Sequence, residues 1–391
     1  MNFASSLCFV LLLNSSLFSS NILSDIQRDK LELSKQQIET NTDKLKSDII
    51  LPINYTYSYN NSDQIFNNTE LGTIKKSTIT INQPIFKSGG IYSSIKYVNN
   101  LKKTNQISSK IQKQALIKNA ISIAYNIKKL NLQIKKQNFS LKNAILDLNN
   151  KKESVFQGVL DISFLNNAII VKNNIQSGLL DLEFQKESLI NSFSLLSSQN
   201  IENIRLPRFT HVTLNKFQNN NLLIQKNTLD INSKKYLKAI ATSKYLPSVN
   251  LNYSKTFDHI NDINYNSYGF KIIVPFDYGY FNGINLAKLD YIKAQNKLKI
   301  LKKNEFVFFK THNLKIKTID AKIELTNENI KVYKELLKQT KELKNIGLKT
   351  IDDVQILENS TNSEMLNLQI YDIDQQIELL EIYVKISNNK M

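Results

Sequence analysis

Apolar residues that step alternately by three and four, for dozens of residues without a breaker, constrain this chain more than any other feature. Leu116, Ala120, Ile123, Ile127, Leu130 and Ile134 open one run, which Leu141, Ile145 and Leu148 continue. A second passes through Ala168, Val171, Ile175, Gly178, Leu182 and Leu189. A third uses Ile316, Ile319, Ile323, Ile330, Tyr333 and Leu337, and a fourth Leu366, Ile370, Ile373, Ile377, Leu380 and Val384. This spacing holds one apolar seam against a partner helix in knobs-into-holes contact. Only 9 Gly and 5 Pro interrupt 391 residues. Residues 88–157 and 283–346 therefore read as single helices, roughly 105 and 95 Å long at 1.5 Å per residue. Each is followed, after a Gly-containing bend, by a returning helix. Hairpins of that length are pillars and enclose no globular core.

Four segments carry a different period. Residues 49–60 alternate Ile53, Tyr55, Tyr57 and Tyr59 with Asn54, Thr56 and Ser58. In 76–86, Ile79, Ile81 and Ile85 oppose Thr78, Thr80 and Asn82. In 247–257, Val249, Leu251, Tyr253 and Phe257 oppose Asn250, Asn252, Ser254 and Thr256. In 267–278, Tyr268, Phe270, Ile272, Val274 and Phe276 share a face. Period-two alternation over about ten residues marks either a transmembrane strand or a half-buried sheet. Four strands close no barrel, and lipid tolerates no open edge. Such strands are soluble or are completed by further copies, three of which would supply twelve.

The chain also repeats itself, with a period of about 190 residues. Leu51-Pro52 recurs as Leu246-Pro247, and Gln83-Pro84-Ile85-Phe86 as Val274-Pro275-Phe276-Asp277. Gly89-Gly90 opens one long helix, and Gly279 with Gly283 the other. Gly158 to Leu165 matches Gly347 to Val354. Repeat one covers about 24–200 and repeat two about 215–388, so 21–391 reads as a single unit, mainly α with a small β part.

The charge balance is 51 Lys+Arg against 34 Asp+Glu, or +17. The basic residues are diffuse and form no stripe interleaved with stacking aromatics, so nucleic acid is not an expected partner. Residues 1–20 read as a signal peptide, with an apolar run from Leu7 to Leu13 too short to span a bilayer and cleavage expected between Ser16 and Ser20. The single cysteine, Cys8, lies inside that segment, which removes disulfides, thiolate metal sites and a cysteine nucleophile from the mature chain. His211, His259 and His312 have no ligand-spaced partners. Asp258, His259 and Asp262 read as a solvated turn between strands, and His312 as a satisfied helix residue. No enzyme activity, cofactor or metal is expected.

On these residues the chain resembles the TolC family of outer-membrane efflux proteins over essentially all of its mature length. The repeated Leu-Pro strand starts carry the resemblance, together with Gln83 to Phe86 followed by Gly89-Gly90, and Gly347 to Val354 followed by Gln355. It implies a homotrimer with a shared 12-stranded barrel in the outer membrane of a Gram-negative bacterium and a long α-helical barrel in the periplasm. It also implies docking to a periplasmic adaptor and an inner-membrane RND, ABC or MFS-type pump, for efflux or type I secretion. Gly158 and Gly347 would mark the periplasmic tip turns. Asp353 with Asp352, and Phe164 and Lys349, would line the pore constriction, because threefold symmetry triples one inward carboxylate. The competing view makes both aspartates water-facing residues of a helix N-terminus. Departures are a short opening helix from Ser24 to about Ser47, Phe164 where the family often has an aspartate, and Lys344 in place of a latching aromatic residue. The alternative architecture is a non-channel coiled-coil adaptor bridging two membranes, although such proteins usually carry one hairpin and compact β domains.

Overall fold

The computed structural model describes residues 22–61, 65, 66, 69, 70 and 72–387; the expected signal segment, with Cys8, lies outside them. Helices α1 (Asp25–Ser47), α2 (Gly90–Phe156), α3 (Ile162–Ser194), α4 (Leu214–Asn220), α5 (Leu222–Ser243), α6 (Tyr280–Asn345) and α7 (Ile351–Tyr383) dominate. The strands are β1 (Asn54–Asn60), β2 (Ile65–Phe66), β3 (Thr69–Glu70), β4 (Ile74–Phe86), β5 (Ser248–Asp258) and β6 (Ile263–Ile273). Among the described residues two compact units emerge, one drawn from 31–110 and 223–303, the other from 22–30, 111–222 and 304–387.

The first of these units holds an antiparallel sheet in the order β1-β4-β5-β6. Its register puts Tyr57 opposite Ser77, Ser77 opposite Phe257 and Phe257 opposite Asn264. Further along, Ile81 faces Tyr253 and Tyr253 faces Tyr268, then Leu251 faces Phe270. Paired residues share a face, so the apolar sets of all four strands fall on one side. The other side carries Thr56, Thr78, Thr256 and Ser254, with Thr78 and Thr256 joined through their hydroxyls at 3.3 Å.

The fourth strand corrects the sequence expectation of 267–278. Asp262, at φ 52, makes the turn tight, so β6 begins at Ile263 and pairs along its whole length with β5. At the far end Pro275 offers no donor, and the Asp277 carboxylate accepts the Gly279 N–H at 2.7 Å, turning the chain into α6. The equivalent corner at β4 uses Ser88 and Gly89, both at positive φ. There the Ser88 hydroxyl donates to the Pro247 carbonyl at 2.6 Å. Beyond the corners the helices pack closely. A Cβ at Gly90 would overlap Ser243, and one at Gly283 would overlap the Tyr245 hydroxyl. The buried Asn100 amide donates to the Leu229 carbonyl at 2.7 Å and to Ser233 at 2.8 Å, tying α2 to α5.

The second unit is a layer of helices in the order α3, α2, α7, α6. Gln137 of α2 donates to the Ile175 carbonyl of α3 at 3.1 Å. Lys118–Glu381 and Lys129–Asp374, both 2.6 Å, join α2 to α7. Asp320 with Gln375, and Lys341 with Glu358, join α6 to α7, again at 2.6 Å. On α6 the narrow seam holds: Ile316 and Ile330 are buried, and Ile319, Ile323, Tyr333 and Leu337 are half-buried. On α2 the expected seam is too narrow. Leu116, Ile123 and Ile134 are only half-buried, whereas Ile117, Ala120, Ile121, Ala124, Tyr125, Ile127 and Leu130 are buried. The reason is that α2 is covered on three sides, by α3, by α7 and by the segment 204–212, and such contact needs a wide stripe. The Tyr125 hydroxyl donates to the Pro207 carbonyl, and burial pushes this phenol up to about 12. The core of the unit gathers Phe217, Leu222, Leu379, Ile382 and Ile386, all nearly free of solvent.

Candidate functional site

The two hairpin turns are built alike. At the end of α2, Gly158 at φ 71 lets the Val159 N–H reach the Ser154 carbonyl at 2.9 Å, while its own N–H meets Val155 at 3.0 Å. At the end of α6, Gly347 at φ 79 does the same, with Leu348 to Leu343 at 2.9 Å and Gly347 to Lys344 at 3.0 Å. Both are Schellman closures, which need a left-handed residue. Each returning helix then starts a few residues after its glycine.

The caps differ between the repeats. Asp161 caps α3 directly, accepting the Ser163 N–H at 2.8 Å. The Ser163 hydroxyl and N–H hold its carboxyl below the ordinary value of 3.8. For α7 the cap is Thr350, whose hydroxyl accepts the Asp353 N–H at 3.1 Å; the Asp353 carboxylate reaches back to the Thr350 N–H at 2.9 Å. This reciprocal box keeps the Asp353 carboxyl low, chiefly through the Thr350 N–H, with help from the Thr350 hydroxyl and Lys349. Lys349 stands 3.8 Å from Asp353, so these two expected site residues are brought together. Asp352 is half-buried beside them. Phe164 occupies, in α3, the position Asp353 occupies in α7. Because Asp161 already caps α3, this position is free to be apolar, and Phe164 is exposed on the other turn. Around both turns Phe156, Val159, Ile162, Ile346, Leu348 and Ile351 are also exposed.

Thr350 was missed in the sequence, although Thr350-x-x-Asp353 ahead of an apolar run is a capping-box pattern. His312 is satisfied as expected, by Glu378 at 2.6 Å, which also takes Lys315 at 3.2 Å. Asp258 accepts from the Ile260 and Asn261 N–H groups and makes a turn, while His259 bonds the Ser77 hydroxyl at 2.7 Å. Among the described residues no three metal-ligating side chains converge, and no helix is long and apolar enough to cross a membrane.

The exposed face of the sheet is the second candidate. Tyr268 is 84% exposed, Phe270 71% and Tyr55 67%, and Ile272, Tyr57, Tyr59 and Leu251 are exposed with them. A contiguous apolar face of this extent marks an interaction surface.

No family model and no curated protein sequence matches the chain. Solved structures do. The Campylobacter jejuni outer membrane channel CmeC is similar over 95% of this chain and 84% of that one, with a TM-score of 0.76 at 14% identity. The outer membrane protein VceC of Vibrio cholerae is similar over 91% and 92%, with a TM-score of 0.73 at 13% identity. The Neisseria gonorrhoeae outer membrane channel MtrE, in its open state, is similar over 95% and 88%, with a TM-score of 0.69 at 13% identity. At such identities it is the fold that is shared: long helical hairpins in two repeats with a small four-stranded sheet, the fold of TolC-like outer-membrane channels.

Proposed function

We propose that this chain is one third of a trimeric channel in the outer membrane of a Gram-negative bacterium. Three copies would contribute twelve strands to one β-barrel and twelve helices to one α-barrel. The observation that carries the reading is the sheet: among the described residues β1 and β6 are edge strands with one partner each, and one face is mainly apolar, with Tyr55, Tyr57, Tyr59, Leu251, Tyr268, Phe270 and Ile272 exposed on it. In lipid the edges must be closed, and further copies close them. In water the same edges and face would invite aggregation, a burden that a non-channel scaffold would have to bear. The outer helices of the four-helix layer make a parallel demand. Leu180 and Phe184 on α3, and Leu314, Leu325 and Val332 on α6, are exposed and would be covered by neighbouring copies.

In this assembly the channel receives cargo from a periplasmic adaptor and an inner-membrane pump of RND, ABC or MFS type, for efflux or type I secretion. The hairpin turns form the periplasmic end. There Asp353, with Asp352, Lys349 and Phe164, rings the narrowest point, and three ionised carboxylates concentrate cations. The capping box holds the Asp353 carboxyl below its ordinary value, so the group carries its charge at neutral pH, as that role requires. Detergent-extracted protein should behave as a heat-sensitive species of three chains and fractionate with the outer membrane. In planar bilayers it should conduct with cation selectivity that Asp353→Ala reduces. A mass of one chain, or wholly soluble protein, would refute the channel; an unchanged reversal potential would remove Asp353 from the constriction.

A further inference from the structure

The exposed face of the sheet is not uniformly apolar. At its turn end, Lys75 stands opposite Tyr59, and the His259 N–H meets the Lys75 carbonyl at 2.8 Å. The next level is Tyr57, Ser77 and Phe257, and the one after it pairs Ile79 with Lys255. Beyond that level every rung on this face is uncharged.

The two lysines differ from those around them. Lys76, on the opposite face, has Asp258 at 3.9 Å. Among the described residues no carboxylate occupies any register position on the face of Lys75 and Lys255. Each ammonium instead lies over a ring, Lys75 over Tyr59 at 5.6 Å and Lys255 over Phe257 at 5.0 Å. Phe257 is two residues nearer the turn than Lys255, so the Lys255 stem runs along the apolar face and delivers its charge toward the rim. That is how a lysine beside lipid reaches the headgroups. A ring weakly stabilises a cation and leaves its charge unneutralised. His259, fixed by Ser77 and lying 6.0 Å from the Tyr57 ring, completes the same rim.

We propose that this rim binds the phosphate groups of a phosphate-bearing glycolipid in the outer leaflet, with Lys75 and Lys255 as the contacting cations. The inference rests on the channel reading, which puts the turn end of the sheet at the outer leaflet and the apolar face against lipid. Cations set in an aromatic belt, on a face that holds no carboxylate among the described residues, complement an anionic headgroup.

The test uses the full chain purified as its oligomer and inserted into phosphatidylcholine bilayers doped with either lipid A or its dephosphorylated form. Retained lipid is read by native mass spectrometry after gentle extraction. The wild type should retain lipid A in preference to the dephosphorylated form. Lys75→Gln and Lys255→Gln should each lower that preference about fivefold, the weight of one basic residue beside an anionic lipid surface. Lys75→Arg and Lys255→Arg should preserve it, as should Lys271→Gln on the opposite face. Millimolar inorganic phosphate should not displace the lipid; displacement would mean a free-anion site and would overturn the proposal. Insertion with equal retention of both lipids would overturn this inference alone. Failure of the wild type to enter either bilayer would overturn it together with the channel reading.

Discussion

A lysine placed mid-strand on the sheet should destabilise the assembly on one face and not on the other. β6 runs for 11 residues, Ile263–Ile273. At about 3.4 Å per residue and a tilt near 45°, such a strand rises roughly 25 Å, the height of an outer-membrane apolar band. Tyr268 is its middle residue, pairs with the middle residue of β5, Tyr253, and points to the apolar face. Its neighbour Ser267 pairs with Ser254 on the polar face. On the channel reading Tyr268→Lys would put a charge at the bilayer midplane, where it costs about 2–4 kcal/mol per chain, or about three times that per trimer if the sites are independent. On the same reading Ser267→Lys would face the lumen and should cost under about 1 kcal/mol. Tyr268→Phe, which keeps the ring, should be close to neutral. The assay is the loss of the oligomer band on heating in detergent, supported by urea unfolding in lipid vesicles. Equal destabilisation by Tyr268→Lys and Ser267→Lys would refute the assignment of the faces, and with it the membrane role of the sheet.

Three further outcomes rest on local geometry. Gly158→Ala and Gly347→Ala meet nothing within 4 Å, so only the positive φ opposes them; each should cost about 1–2 kcal/mol and speed hydrogen exchange around its own turn while leaving the other unchanged. Gly283→Ala should lower the melting temperature because its new methyl overlaps the Tyr245 hydroxyl, and Tyr245→Phe in the same chain should recover part of the loss. Asp353 has its carboxyl held below 3.8 in the folded chain, so its contribution is complete above about pH 4 and is lost as the pH falls through the lower folded value. Protection of the α7 start, corrected for intrinsic exchange, should therefore hold at neutral pH and drop as the pH falls below about 4, and Asp353→Asn should abolish that drop.

Most of the architecture was legible because two periods never mix in this chain. The three-four stepping of α6 survives over 316–337, where Asp320 bonds Gln375 and Lys322 lies over Tyr371, both on α7, since one neighbour along a stretch needs one seam. The same reasoning failed on α2 because a sequence stripe does not say how many neighbours a helix has. Ile117, Ile121 and Ala124 lie outside the seam drawn through Leu116, Ala120 and Ile123, yet they are buried, and the neighbouring Tyr125 bonds Pro207, a residue distant in sequence. The strands were legible for their side-chain alternation but not for their ends. Asn264 and Asn266 look like loop residues, and they become strand because Asp262 tightens the turn before them. Pairing with β5, a tertiary fact, decided what local propensity left open.

The turns show why a site can be half visible in a sequence. Gly158 and Gly347 are conspicuous because a left-handed residue at a helix end nearly demands glycine. The aspartates beyond them are ambiguous, since a carboxylate in the first turn of a helix serves the backbone whether or not it also serves a pore. The two repeats separate these duties. In α3 the capping carboxylate is Asp161, at the cap itself, and the third helical position is free to be Phe164. In α7 the cap is Thr350, which completes its box through Asp353. The aspartate at this position is thus accounted for by helix capping alone, and its pore role must be argued from selectivity. Thr350→Ala and Asp353→Ala divide the question: both break the box, but only the second removes the charge. If they shift the reversal potential equally, the turn geometry governs conduction; if only Asp353→Ala shifts it, the carboxylate does.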